Sequence, residues 1–307
     1  MLGYLIRRIA GMLVVLFCVV SLTFFLVRML EGGPFDTEKE PPPHIKQELL
    51  AQYGLDQPLR VQYWRYMRDL ILRGDLRMCF HYRDWTVAEV LAQKLPASLQ
   101  IGAVAFVLAS IGGVAMGALA AMRRNTPVDY GVMLFALLAV SVPTFVTGPL
   151  LIGVFALWLG WLPVGGWLEW RSLVLPSICL AAPYLAYVAR LTRNSMLDVL
   201  RQDFIRTARA KGLAESQVIV RHALKPAILP VVGFLGPLAA HLLTGAMVVE
   251  AVFNISGAGS IFVNSILNRD GFLLGGVVIV YCALLIVFNL VCDLTLAALD
   301  SRIRLHD

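Results

Sequence analysis

Charge is scarce in this chain. Of its 307 residues only 15% are Asp, Glu, Lys or Arg, while 59% are hydrophobic, a balance too apolar for an ordinary soluble domain of this size. No Gly-rich loop ends in Gly-Lys-Ser or Gly-Lys-Thr, so the chain lacks a phosphate cradle of its own. His44, His81, His222, His241 and His306 are scattered without paired metal-ligand spacing, and no motif positions Ser, His and Asp together for nucleophilic catalysis. That argues against an intramembrane enzyme. Carboxylates are missing from the centres of the apolar runs, which argues against an ion-coupled carrier built on buried acids. Of the five cysteines, only Cys79 lies between apolar runs, so it has no disulfide partner there.

What is abundant is uninterrupted apolar sequence. Crossing a hydrocarbon core of roughly 30 Å takes about 20 mostly apolar helical residues. Six runs reach that length: Ile9 to Leu30, Ala97 to Met122, Tyr130 to Leu159, Leu173 to Leu191, Ile228 to Val252 and Gly271 to Ala297. They are continuous in Leu, Val, Ile, Ala and Gly rather than alternating, so helices are expected and a barrel is not. The expected fold is an all-α integral membrane protein with six transmembrane helices and membrane lipid as its solvent.

The formal charge of +6 would suit nucleic acid, but the basic residues cluster between runs. Arg7 and Arg8 precede the first run, and Arg123 and Arg124 follow the second. Arg193, Arg201, Arg206, Arg209, Lys211, Arg221 and Lys225 follow the fourth, and Arg302 and Arg304 the sixth. The short loops on the other side carry only Arg171 and Arg269, so the positive-inside rule places both termini in the cytoplasm. No nucleic-acid partner is expected. The loop from Glu31 to Leu95 is also rich in Lys and Arg, but loops of about that length cross largely regardless of charge. The first run is too long for a signal peptide, and Phe24-Phe25-Leu26-Val27-Arg28 offers no small-residue cleavage site, so it is read as a retained helix.

The organisation that follows is an N-terminal transmembrane helix (1–30), an exterior segment (31–95), a five-helix core (96–297) and a short tail (298–307). The exterior segment opens with Gly32-Gly33-Pro34 and Pro41-Pro42-Pro43, an extended linker. Helical spacing then marks Ile45 to Tyr53, stopped by Gly54, and Val61 to Leu72, a small cap. Gly113-Val114-Ala115-Met116-Gly117 is a surface suited to close helix approach. Pro176, Pro183, Pro230 and Pro237 break the fourth and fifth runs, as pathway-lining kinks or as passive ones.

The most informative stretch is Asp198 to Pro230, basic yet helical in pattern. Leu197, Leu200, Phe204 and Ala208 form an apolar stripe, with Arg201, Arg206, Arg209 and Lys211 on the remainder. Gly212 supplies a stop. A second short helix runs to about Lys225, before Pro226 and Pro230. The product is a helix-turn-helix elbow at the membrane surface, which could also be a helix lying on anionic lipid.

Phe204-Ile205-Arg206-Thr207-Ala208-Arg209-Ala210-Lys211-Gly212-Leu213, followed by Arg221-His222-Ala223-Leu224-Lys225-Pro226-Ala227-Ile228-Leu229-Pro230, resembles the signature of bacterial ABC import permeases, and most closely the first permease subunit of the dipeptide and oligopeptide branch. Further matches run along nearly the whole chain, from Tyr4-Leu5-Ile6-Arg7-Arg8 through Gly54-Leu55-Asp56, Gly74-Asp75-Leu76, Trp161-Leu162-Pro163, Glu250-Ala251-Val252-Phe253, Gly257-Ala258-Gly259 and Asn268-Arg269-Asp270 to Asp300-Ser301-Arg302-Ile303-Arg304. The resemblance implies a type I ABC importer permease fold in the bacterial inner membrane. It also implies a second homologous permease, two cytoplasmic ATPase subunits and an exterior peptide-binding protein. ATP would be used by those partners, and this chain would bind no cofactor. In the family the elbow is a coupling helix, which casts loop 194–227, and within it Phe204, Arg206, Thr207, Ala208, Arg209, Ala210, Lys211, Gly212 and Leu213, as the ATPase-coupling segment. Nickel or another small solute is a cargo the same resemblance allows. Three departures stand out: Arg206-Thr207-Ala208 where Glu-Ala-Ala is usual, Arg77-Met78-Cys79 after Gly74-Asp75-Leu76, and Ser256 where proline is common.

Lone polar residues have two readings each. His241, midway along the fifth run, is either a translocation-path group or a neutral histidine bonded to a neighbouring helix. Asp293 is expected to snorkel or to bond another helix. Arg28 and Glu250, near exterior ends, are expected to reach headgroups or water. Trp158, Trp161, Trp167 and Trp170 read as an interfacial belt.

Overall fold

The computed structural model describes residues 2–29, 42–82 and 84–299. Residues 30–41, which hold most of the proline-rich linker, and the closing Asp300 to Arg304 motif lie outside the described residues, while Pro43, expected in the linker, opens a helix. Among those described there is no strand, only one isolated bridge between Met78 and Thr86. Among the described residues, five helices are long and apolar enough to cross a membrane, and a sixth crossing is available only if a bent pair is taken as one span.

The first is α1 (Leu2–Met29). The cap helices α2 (Pro43–Gln52) and α3 (Leu59–Arg73) follow where the spacing put them, and α3 is ended by Gly74 in the left-handed conformation. The second span, α4 (Val87–Met122), starts ten residues before the expected Ala97. Thr86 and Glu89 form a reciprocal capping box there, so the end of the exterior loop winds into the span helix.

The third run does not form one helix. It divides into α5 (Pro127–Ser141) and α6 (Thr144–Trp158), which meet at a bend of 109°. Pro143 has no N–H and forces Val142 into an extended conformation (φ −88°, ψ 119°), so the helix must stop at Ser141. The two ends of the pair still lie at opposite ends of the bundle. Asp129, in the first turn of α5, holds Arg193 near the end of α7 (Val174–Val199), whereas the loop after α6 donates the Gly166 N–H to the Phe253 carbonyl at 3.1 Å, on the cap side.

α7 also overruns its expected end at Leu191 by two turns. The chain then turns through α8 (Asp203–Ala210) and α9 (215–227) into α10 (Leu229–Leu243), α11 (Met247–Val252), α12 (Ala258–Leu267) and α13 (Gly271–Leu299). α9 includes a widened π turn at Val218–Ala223. The Gly113–Gly117 surface packs on α7: a Cβ at Gly117 would overlap the Ala189 carbonyl, so only glycine lets the two backbones meet.

Among the described residues, three apolar clusters hold the bundle together. The largest joins α4, α7, α10 and α11 through Ile101, Leu175, Leu180, Val188, Leu238, Leu242 and Val249, with Phe253 just beyond α11. A second binds the cap to α1 and α13, with Phe24, Tyr66, Met67, Val87, Phe272 and Leu273 buried together. The third lies under the elbow.

The cap corrects the expectation for Arg28. Instead of reaching headgroups, its guanidinium lies 3.6 Å over the Phe24 ring and donates to Gln62 of α3 at 2.9 Å. Asp270, fully buried, caps α13 by accepting the Leu273 N–H and also accepts the N–H groups of Phe80 and His81, which ties the cap loop to the last span. Its burial raises its carboxyl above the usual carboxylate range. In the divergent Arg77-Met78-Cys79 segment, Arg77 takes a positive φ of 72° and reaches Asp69 at 2.5 Å, while burial pushes the Cys79 thiol up to about 12. Trp158, Trp161 and Trp170 are exposed as a belt requires, but Trp167 packs on the main core.

Candidate functional site

The elbow is built outward from α7. After Val199 the chain breaks helical phase at Leu200, Arg201 and Gln202, then restarts as α8 with Asp203 in its first turn and Arg209 in its last, each favourable to the helix dipole. The break resets the apolar stripe. Ile205 (0% exposed) and Ala208 are the residues turned inward, against Met196, Val199, Val218, Ile219, Ala223, Ala227 and, from the end of α4, Ala121. Leu197 and Leu200 only flank that cluster, and Phe204 is 43% exposed on the outer face. The expected stripe assumed one unbroken helix, and it fails because α7 and α8 are separate.

Of the nine residues assigned to coupling, Phe204, Arg206, Thr207, Arg209, Ala210, Lys211, Gly212 and Leu213 are exposed in this chain, while Ala208 supports the elbow from beneath. Two of the arginines are held by carboxylates. Arg206 pairs with Asp203 at 3.3 Å, and Arg209 makes a two-pronged contact with Glu215 at 2.6 and 3.0 Å across the turn. That contact draws the Glu215 carboxyl below its usual range. Lys211, Arg201, Arg221 and Lys225 have no carboxylate partner among the described residues. Gly212 has φ +78°, and no atom lies within 4 Å of where a Cβ would sit, so the turn needs glycine for its backbone conformation and not for space.

Beneath the elbow stands an anchor that no sequence motif marks. Arg193 donates two bonds to Asp129, at 2.6 and 2.7 Å, and Asp129 also accepts the Asn125 N–H at 3.0 Å. These partners lie 64 residues apart, so no local pattern announces them. Glu215 carried a weak signal, an acid six residues from Arg209 across a glycine turn.

His241 lies on the exposed face of α10, in line with Pro230, Gly233 and Pro237. Its imidazole bonds to no neighbouring helix among the described residues. Instead it meets the Tyr184 ring of α7 at 5.4 Å, and the same face continues with Tyr187 against Phe234 at 4.5 Å. Pro230 and Pro237 are exposed on this face, whereas Pro176 is buried in the core.

Glu250 corrects another expectation. It is 3% exposed and does not reach water; it accepts the Ser98 hydroxyl at 2.6 Å and the Ser260 N–H at 3.0 Å. Ser98 in turn accepts the Ala258 N–H at 2.8 Å, which locks the start of α12 onto α4. A Cβ on Gly257 would overlap the Glu250 carboxylate, which accounts for the Gly257-Ala258-Gly259 motif. Ser256, the departure from proline, accepts a bond from Lys94 at 2.5 Å. Asp293 forms an ion pair with Arg8, so its partner is α1. No group of three or more His, Cys, Asp and Glu among the described residues could hold a metal ion.

Comparison with known proteins places this geometry. The family described as Binding-protein-dependent transport system inner membrane component matches residues 113–305, and the corresponding N-terminal family matches 1–101. The chain is 43% identical to the oligopeptide transport system permease protein OppB of Salmonella typhimurium, over 99% of this chain and 100% of that protein. It is 42% identical, over the same shares, to OppB of Haemophilus influenzae. It is 40% identical to the dipeptide transport system permease protein DppB of Bacillus subtilis, over 100% of this chain and 99% of that protein. Among solved structures, a chain of the inward-facing MetNI methionine ABC transporter shares the fold with a TM-score of 0.58 at 18% identity, over 69% of this chain and 96% of that chain.

Proposed function

The chain belongs to the binding-protein-dependent transport system inner membrane components, and on that premise we propose that it is one permease subunit of an ATP-driven importer of oligopeptides or dipeptides. As a permease it is a transport component rather than an enzyme. The observation that carries the proposal is the elbow: an exposed face on a foot of Ile205 and Ala208, seated between the end of α7 and α9, the segment that leads into α10. A push on Phe204, Lys211 or Leu213 is thereby delivered to the two helices that carry Tyr184, Tyr187 and His241 on their open face. Packed interiors transmit displacement because they are dense.

The assembly that fits is this chain with a second homologous permease, two ATPase subunits gripping the elbows, and an exterior peptide-binding protein on the cap between Phe35 and Lys94. ATP is then consumed by the partners. Both termini face the cytoplasm, the bent pair α5–α6 serves as one of six crossings, and the 96–297 core carries loop 194–227. His241 lines the path at the interface with the second permease. The full-length relatives favour this reading over an ion-coupled carrier.

The test is a cysteine at Leu213, cross-linked in the intact assembly, together with peptide uptake into vesicles with and without internal ATP. Cross-links to an ATPase and ATP-dependent uptake are expected. Uptake by this chain alone, driven by a proton gradient, would overturn the reading.

A further inference from the structure

α1 and α13 bury apolar side chains against each other at the cap end, and at the other end the Arg8–Asp293 ion pair joins them. Val20 and Phe24 of α1 are buried against Phe272, Leu273 and Val277, and Val27 packs over Gly271. None of residues 6–19 of α1 is buried, and between the cap-end packing and the Arg8–Asp293 pair the two helices line a cavity of about 590 Å³. Its walls are apolar, among them Val15 and Ile286, with Gly11 leaving one side open because nothing lies within 4 Å of where its Cβ would be. Its end toward the elbow side of the bundle is charged and polar, lined by Arg7, Arg8 and Asn289. Arg8 is paired with Asp293, but Arg7 has no partner among the described residues, so the cavity keeps one uncompensated guanidinium beside a hydrocarbon-lined slot.

That combination has a specific complement. An apolar slot open to the side of the bundle takes an acyl chain, and an unpaired guanidinium at its mouth takes an anionic headgroup. Arginine suits a phosphate diester through its planar fork, and basic pockets between transmembrane helices at the cytoplasmic face favour acidic lipids. Arg8 is already engaged by Asp293, so Arg7 is the group left to hold the headgroup while the chain lies between Val15 and Ile286. We propose that the groove between α1 and α13 is a binding site for one anionic phospholipid of the cytoplasmic leaflet, held by Arg7 and admitted by Gly11. The leaflet assignment rests on the orientation proposed above. The bound lipid would fill the gap between the first helix and the rest of the bundle.

Lipid retention tests this without any transport measurement, so its failure is distinct from failure of the importer reading. The purified full-length assembly is loaded with dioleoylphosphatidylglycerol or dioleoylphosphatidylcholine and the retained lipid is counted by native mass spectrometry. Phosphatidylglycerol is expected to be retained in preference to phosphatidylcholine. Arg7→Gln should weaken retention about fivefold, the worth of one basic group near an acidic headgroup. Gly11→Leu should abolish it while strengthening the helix itself, since leucine is the better helix former. Glycerol phosphate, which has the headgroup chemistry without the chain, should not displace the lipid. Equal retention of both lipids, unchanged retention in both variants, or full displacement by glycerol phosphate would overturn the proposal. So would a Gly11→Cys variant that cross-links to another protein chain across the groove.

Discussion

The stem and the tip of the elbow each carry an arginine fork on a carboxylate, nearly identical in geometry and opposite in surroundings. At the stem, Arg193 meets Asp129 at 2.6 and 2.7 Å with the aspartate side chain 2% exposed. At the tip, Arg209 meets Glu215 at 2.6 and 3.0 Å with the glutamate 56% exposed. Distance alone would rank them equal. Burial separates them, because removing one partner of a buried pair strands a desolvated charge, whereas an exposed charge is taken over by water. The stem pair therefore resists disruption more than the tip pair, the division that the proposed coupling role requires.

The largest effect that tests this contrast is Arg193→Ala, which should cost about 3–5 kcal/mol by leaving Asp129 buried and unpaired. Thermal unfolding of the purified protein measures it, and a loss no greater than that of Arg209→Ala would erase the distinction between stem and tip. Next is Ile205→Ala, which hollows the foot and should cost about 2–5 kcal/mol, the range for large-to-small changes in a packed core. Uptake should fall with it even where the protein still reaches the membrane. Gly212→Val, in a left-handed turn closed to β-branched residues, should strain the tip by about 1–2 kcal/mol and abolish ATP-dependent uptake while membrane levels persist. Gly212→Asn, whose side chain tolerates that conformation, should retain most uptake; equal loss in the two variants would mean that the turn's backbone is not what matters.

The smallest effect belongs to the tip pair. Glu215→Gln should change stability by at most about 1 kcal/mol, as for other exposed ion pairs. The folded state holds the Glu215 carboxyl below its ordinary 4.5, so the pair's contribution is complete above that value and is lost as pH falls through the folded-state value. An unfolding series against pH should show the wild type and Glu215→Gln converging at the acid end.

Much of the molecule was legible in the sequence because lipid imposes length. Runs of about 20 apolar residues, basic loops between them, the two cap helices and the Gly212 turn all follow from local composition. The third span misled for a local reason as well: Pro143 lay in an apolar run that read as continuous, and its effect on Val142 was the missing clue. The phase of α8 was hidden because three residues, Leu200 to Gln202, detach it from α7, and periodicity counted across a break points the wrong face inward. Glu250 read as a residue reaching water because a span-end carboxylate usually does so; its donors come from Ser98 and the start of α12, which proximity in sequence does not reveal.

By itself the sequence determined that this is a helical membrane protein, where its charges gather, and that a glycine-hinged basic elbow projects from it. Those properties depend on the hydrophobic effect and on backbone preference, which act residue by residue. Only the tertiary structure decided that Ile205 is the foot, that Asp129 anchors Arg193, that His241 faces outward beside Tyr184, and that a cavity between α1 and α13 opens beside Arg7. Each of these is a pairing of distant segments, and the free energy of burying a charge or a side chain depends on what the rest of the chain brings against it.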